Sequence, residues 1–187
     1  MVEANGSEHF TVDRVPTPIG TMLIVVDPQG RLRALDWEDF ENRMVRLLEL
    51  HYGREGVKLV EGRACAAVKQ PLEAYLAGEL TALDGIPVQT FGTPFQREVW
   101  AALRTIPVGQ TETYGGLALK IGRPKAVRAV GAANGANPIG VVVPCHRVIG
   151  TDGSLTGYGG GLERKRWLLA HEGVELERGL FTRRDQQ

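Results

Sequence analysis

From Asp84 to Gly92 the chain is punctuated by glycine and proline, and the hydrophobic pattern changes character across that stretch. Before it, apolar runs at 10–15, 22–26 and 32–37 are separated by Pro16-Thr17-Pro18-Ile19-Gly20 and Asp27-Pro28-Gln29-Gly30, which reads as three short antiparallel strands. Met44, Leu47 and Leu48, then Val68, Leu72, Tyr75 and Leu76, recur at helical spacing and predict two helices covering one face of that sheet. After the stretch, Thr93-Pro94 supplies an N-cap and an N1 proline to a helix carrying Phe95, Val99, Trp100 and Leu103. Two compact units suit 187 residues: an α/β scaffold domain over 1–84, a linker over 85–92 and a second domain over 93–187.

With 43% hydrophobic and 24% charged residues, disorder and fibrous structure are both disfavoured. No apolar run reaches the roughly 18 residues of a membrane span, and the polar, acidic start from Met1 to Phe10 does not read as a signal peptide, so a cytoplasmic location is expected. Cys65 and Cys145 are too few for a disulfide framework or a Cys-rich zinc site, and reduced thiols are expected.

The formal net charge of zero hides an asymmetry. Residues 1–92 hold 9 basic and 14 acidic side chains, and residues 93–187 hold 13 and 8. Between Thr113 and Thr151 stand Lys120, Arg123, Lys125, Arg128 and Arg147 without one acidic residue, a field that suits a polyanion but also describes a solvated basic face. Within it, short helices are expected over 114–121 and 125–134 around Gly122-Arg123-Pro124, the pattern of a helix-turn-helix or of an ordinary helical hairpin. The second helix is almost bare. Ala126, Ala129, Gly131, Ala132 and Ala133 leave Arg128 as its one long central side chain, so it can approach another surface closely.

After Asn137-Pro138, the apolar run from Ile139 to Val143 reads as buried extended chain delivering Pro144-Cys145-His146-Arg147-Val148 to a bend. A free thiol with a pKa of about 8.5 is mostly protonated at neutral pH, so a nucleophilic cysteine needs a base. His146 is the neighbour that can serve, directly or through water, and Arg147 would add positive potential favouring the thiolate. A buried cysteine can equally be a small core hydrophobe, a reading that fits Cys65 among Ala64, Ala66 and Ala67. Adjacent Cys145 and His146 without two further ligands cannot close a tetrahedral zinc site, so no metal is expected.

Asn137-Pro138-Ile139, Pro144-Cys145-His146-Arg147-Val148 and Gly157-Tyr158-Gly159-Gly160-Gly161 together closely resemble the signature of the O6-alkylguanine-DNA alkyltransferases, the methylated-DNA-protein-cysteine methyltransferases, with the match running from Thr93 to Glu172. The resemblance implies a small ribonuclease H-like sheet with helices ahead of a winged helix-turn-helix domain. It implies that Cys145 accepts the alkyl group from O6 of guanine, and also from O4 of thymine, irreversibly and without cofactor, with His146 bridged to it by water and oriented by Glu172. Tyr114 would donate to N3 of the base. Arg128 would fill the vacated stack from the minor groove, on a helix whose Lys125, Ala126 and Gly131 meet the DNA. Asn137 would secure the active-site loop, Val148 and Cys145 would offer carbonyls to the base, and Tyr158, Gly159 and Gly160 would line the pocket near O6. The partner implied is double-stranded DNA carrying O6-alkylguanine, bound by a monomer, with cooperative assembly on DNA left open. Two other classes use some of these parts. A cysteine hydrolase has no need of a helix-turn-helix with Arg128, and the regulatory fusions of the family carry a Cys-rich zinc module that two cysteines cannot build.

Overall fold

A computed structural model describes residues 8–175, which divide into two compact units after Gly92. In the first unit β1 (Glu8–Thr17), β2 (Gly20–Val26) and β3 (Leu32–Trp37) form an antiparallel meander, and β4 (Val57–Glu61) adds to the free side of β1 in parallel, giving the order β3-β2-β1-β4. The three expected strands are there. β4 was not legible because its residues are mostly exposed at the sheet edge, so the apolar signal of a half-buried strand is weak.

Helix α1 (Glu41–Tyr52) lays Met44 and Leu48 on Phe10, Val12, Leu23, Val25 and Ala34, which share one sheet face. Asp13 points to the other face, where its carboxylate accepts from the Ala64 amide at 3.0 Å and meets Lys69 of α2 (Ala66–Leu76) at 3.5 Å. The expectation of both helices on one face therefore gives way to α1 on one side and the start of α2 tied to the other. Burial of every residue from Met22 to Val26 fits a strand covered on both faces. The segment expected as a linker is also engaged. Leu32 donates to the Pro87 carbonyl at 2.8 Å, Gln89 donates back to the Leu32 carbonyl at 3.0 Å, and Ile86 is buried.

The second unit begins at Thr93. Thr93 accepts from the Gln96 amide while the Gln96 side chain accepts from the Thr93 amide, a reciprocal cap that starts α3 (Pro94–Leu103). Trp100 on α3 donates from its indole to the Ala133 carbonyl at 2.8 Å, fixing α3 against α5 (Val127–Gly135). α4 (Tyr114–Lys120) is capped by Thr113 and ends at Gly122, whose φ of 70° lets the chain turn sharply into α5. A two-residue parallel ladder joins β5 (Glu112–Thr113) to β6 (Val148–Ile149), and α6 (Leu162–His171) closes the unit. Among the described residues no helix is long and apolar enough to cross a membrane.

One expectation in this unit is overturned. The run from Ile139 to Val143 is buried but not extended: Val142 donates to Gly140, Val143 to Ile139 and Cys145 to Val143, and Val141 takes a φ of 65°. The cause is Asn137. Its side-chain Nδ2 donates to the carbonyls of Ile139 (3.3 Å) and Val143 (2.8 Å) and its Oδ1 accepts from the Ile139 amide (3.0 Å), which winds the segment into tight turns.

Candidate active site

The turns organised by Asn137 deliver Pro144 to a 3₁₀ turn, Cys145–Arg147, in which all three side chains are buried. Behind Cys145, the His146 imidazole is fully buried and its Nε2 lies 2.9 Å from Oε1 of Glu172. Glu172 caps the C-terminus of α6, and Gly173, with a φ of 82°, ends the helix there. A carboxylate at a helix C-terminus is mildly disfavoured by the dipole. Here it is compensated directly, because Arg147 forks it through Nε to Oε2 (2.8 Å) and Nη2 to Oε1 (2.9 Å) while Nη1 donates to the Ile106 carbonyl (2.6 Å). Burial alone would raise the Glu172 carboxyl, but bonds and positive charge from His146 and Arg147 outweigh it and hold the group below the usual carboxylate range. Burial pushes His146 down, more than its bond to Glu172 raises it, so the neutral imidazole is favoured. With Nε2–H directed at Glu172, the lone pair is on Nδ1, which is buried and meets no hydrogen-bond partner among the described residues.

The expectation that Arg147 adds its potential to the thiol is corrected by this geometry: the guanidinium is committed to Glu172 and to a main-chain carbonyl. The cation facing the thiol is Lys165. It is buried on α6, and its Nζ donates to the carbonyls of Val148 (2.5 Å), Thr156 (2.7 Å) and Gly157 (3.3 Å). Burial pulls its pKa down to about 8, opposed by negative charge on Cys145.

In front of Cys145 lies a cavity of about 250 Å³, lined by Tyr114, Gly131, Asn134, Gly135, Cys145, Gly157, Tyr158 and Gly159. It falls just below the roughly 300–1,000 Å³ of pockets for drug-sized ligands and suits a single base. A Cβ at Gly131 would sit 3.8 Å from Cδ1 of the Tyr114 ring, an ordinary contact, so α5 lies against that ring whether or not this position is glycine. The Tyr114 hydroxyl donates to the Thr156 carbonyl at a long 3.3 Å, and burial raises its pKa, with the Thr156 bond opposing.

Comparison with known proteins bears directly on this arrangement. Residues 94–174 match the family described as the 6-O-methylguanine DNA methyltransferase DNA binding domain. The chain is 53% identical over 164 residues to a Shigella flexneri methylated-DNA–protein-cysteine methyltransferase, covering 88% of this chain and 96% of that protein. A Salmonella typhimurium protein of the same name is 55% identical over the same span. The chain belongs to this family. The crystal structure of Mycobacterium tuberculosis OGT in complex with DNA superposes with a TM-score of 0.72 at 42% identity, covering 87% of this chain and 92% of that one. The expected fold class, a small sheet with helices followed by a helical domain, is the one the methyltransferase fold displays here.

Of the site residues expected from the sequence, the structure brings Cys145, Tyr114, Tyr158, Gly159 and Gly131 onto one cavity and pairs His146 with Glu172, both buried and outside its lining. Asn137 stands back from the cavity, bonded to the loop that it shapes. Val148 is fully buried and its carbonyl accepts from Lys165; it does not line the cavity. Gly160 is buried, its carbonyl accepting from Arg164, and does not line the cavity either. Arg128 and Lys125 are exposed and Ala126 half-buried at the start of α5. Sequence reasoning did not single out Lys165 and assigned no role to Asn134, which lines the cavity with its Oδ1 buried and without a hydrogen-bond partner among the described residues. The signal for Lys165 was faint: it stands three residues before Leu168, on the buried stripe of α6.

Proposed function

We propose that this methyltransferase repairs alkylated DNA by moving an alkyl group from O6 of guanine to Sγ of Cys145, once per molecule. The observation that carries the reading is a buried thiol at the wall of a base-sized cavity, followed in the same turn by an imidazole hydrogen-bonded to a buried carboxylate. Nδ1 of His146 takes the thiol proton, through a bridging water, while Glu172 holds Nε2–H and steadies the imidazolium that forms. The S–C bond forms as the C–O6 bond breaks, and the electron pair passes to the guanine. Tyr114 donates its proton toward N3, so the base departs without a full negative charge. The product thioether has no easily hydrolysed bond, which makes the reaction stoichiometric, and no step calls for a cofactor.

A cavity of this size cannot admit a duplex, so the base must leave the stack, and a poorly paired damaged base is cheaper to extrude. α5 presents the surface for this: small residues permit close approach to the minor groove, and exposed Arg128 occupies the space that the base vacates. The DNA complex of the Mycobacterium tuberculosis relative supports DNA as the partner. The protein acts as a cytoplasmic monomer, and O4-alkylthymine, smaller than the purine, is a second substrate. Intact mass after incubation with duplex DNA carrying O6-methylguanine tests the reading. One methyl per molecule, mapped to Cys145, is expected; label on Cys65, or product release without protein modification, overturns it.

A further inference from the structure

Glu172 accepts from two donors of unlike kind. Oε1 receives His146 Nε2 and Arg147 Nη2, each at 2.9 Å, and Oε2 receives Arg147 Nε at 2.8 Å. All three side chains are buried, at 0% exposure for His146 and Glu172 and 8% for Arg147. In such surroundings a carboxylate bonded to an imidazole ordinarily favours the imidazolium, because opposite charge nearby stabilises the charged form. An imidazolium has no lone pair with which to take a thiol proton. A carboxylate already forked by a guanidinium is different: it remains a hydrogen-bond acceptor, while the net charge that it presents to the imidazole is offset. The third donor of Arg147, on the Ile106 carbonyl, fixes the guanidinium in that position.

We infer that Arg147 is a positioning residue that acts through Glu172, cancelling the carboxylate's charge while leaving its acceptor in place, so that His146 is oriented as a base without being protonated. The inference rests on the reading of Cys145 as the alkyl acceptor and adds what, beside burial, keeps His146 a usable base next to a carboxylate. The other groups acting on the imidazole are the Lys165 ammonium on α6 and the Tyr158 ring, edge-on at 6.4 Å. Lys165 also disfavours the imidazolium, but its Nζ is held by three carbonyls and stays in place when Arg147 is changed.

The test is the titration of His146, followed by NMR in the full chain. Arg147→Gln keeps an amide donor near Glu172 and removes the charge; it should raise the proton affinity of His146 by about tenfold or more, one pKa unit. Arg147→Lys restores the charge and should return His146 to within about half a unit of the unsubstituted protein. An unchanged His146 in Arg147→Gln, or an Arg147→Lys variant shifted as far as Arg147→Gln, overturns the inference. Should Arg147→Gln fail to fold, the double variant Arg147→Gln/Glu172→Gln decides. With both charges gone, His146 must titrate no higher than in the unsubstituted protein, because an amide accepts less strongly than a carboxylate, and a rise of a unit or more refutes the cancellation. Alkyl transfer is read separately by mass, so a protein that transfers nothing defeats the functional reading while the titration still judges Arg147.

Discussion

Nε2 of His146 lies 2.9 Å from Oε1 of Glu172, in a pair with no side-chain exposure on either partner. Both groups have folded-state pKa values below their ordinary ones, His146 through burial and Glu172 through the bonds and charges that outweigh its burial. The unfolded chain therefore binds more protons than the folded one as acid is added. The stability contributed by His146 is present above about pH 6.5 and is lost as pH falls below it; that of Glu172 is present above about pH 4.3 and is lost below. His51, also lowered by burial, acts in the same direction as His146. The urea midpoint should fall between pH 7 and pH 5, and His146→Gln should flatten part of that slope. A slope unchanged by His146→Gln would show that the imidazole is not held neutral.

Asn137 determines the backbone path that brings Cys145 to the cavity, with three side-chain bonds and 1% exposure. Asn137→Ala leaves two buried carbonyls and one buried amide without these partners and should cost about 2–4 kcal/mol in urea unfolding. Alkyl transfer should fall even under conditions where the variant is fully folded, since the turns from Ile139 to Val143 lose their template. A cost below about 1 kcal/mol would mean that the turns hold themselves.

What was legible in the sequence follows from the range of the interactions. Thr93, Pro94 and Gln96 cap α3 with contacts three residues long, so the helix start could be read directly. Cys145 and His146 stood out as adjacent residues of rare chemical types, Glu172 came through the family resemblance, and the structure sets His146 and Glu172 2.9 Å apart. The path from Ile139 to Val143 was misread as extended because five apolar residues in a row carry no periodicity, and the turn former, Asn137, lies outside the run. Arg147 was credited with the thiol because it is close in sequence, whereas its true partner is 25 residues away. Lys165 and Asn134 became visible only when α6 and α5 packed, since neither residue type announces burial.

Arg128 is exposed on α5, on a helix otherwise dominated by small side chains. If it fills the gap left by an extruded base, its value is confined to substrates that must be extruded. Arg128→Ala should slow transfer from duplex O6-methylguanine by roughly tenfold or more, given an unstacking cost of a few kcal/mol. Reaction with free O6-benzylguanine should stay within about twofold, because no stack is opened. Equal losses on the two substrates would assign Arg128 a structural role.

Gly159, not Gly160, is the glycine placed to set the size of the alkyl group if the cavity receives it. Both were expected near O6, but only Gly159 lines the cavity beside Tyr158 and Cys145, while Gly160 is buried with its carbonyl bound to Arg164. Gly157 and Gly161 take a positive φ and Gly159 is not among the described glycines that do, so a side chain at this cavity-lining position avoids that backbone penalty. Gly159→Val should therefore slow transfer of a benzyl group by much more than transfer of a methyl group, since only the larger group clashes with the added methyls. In the unsubstituted protein the aromatic ring is free to pack on Tyr158, and O6-benzylguanine should react readily. Single-turnover rates for both adducts in both proteins provide the check. A Gly159→Val variant slowed equally on both would show that the glycine shapes the loop and does not set the substrate range.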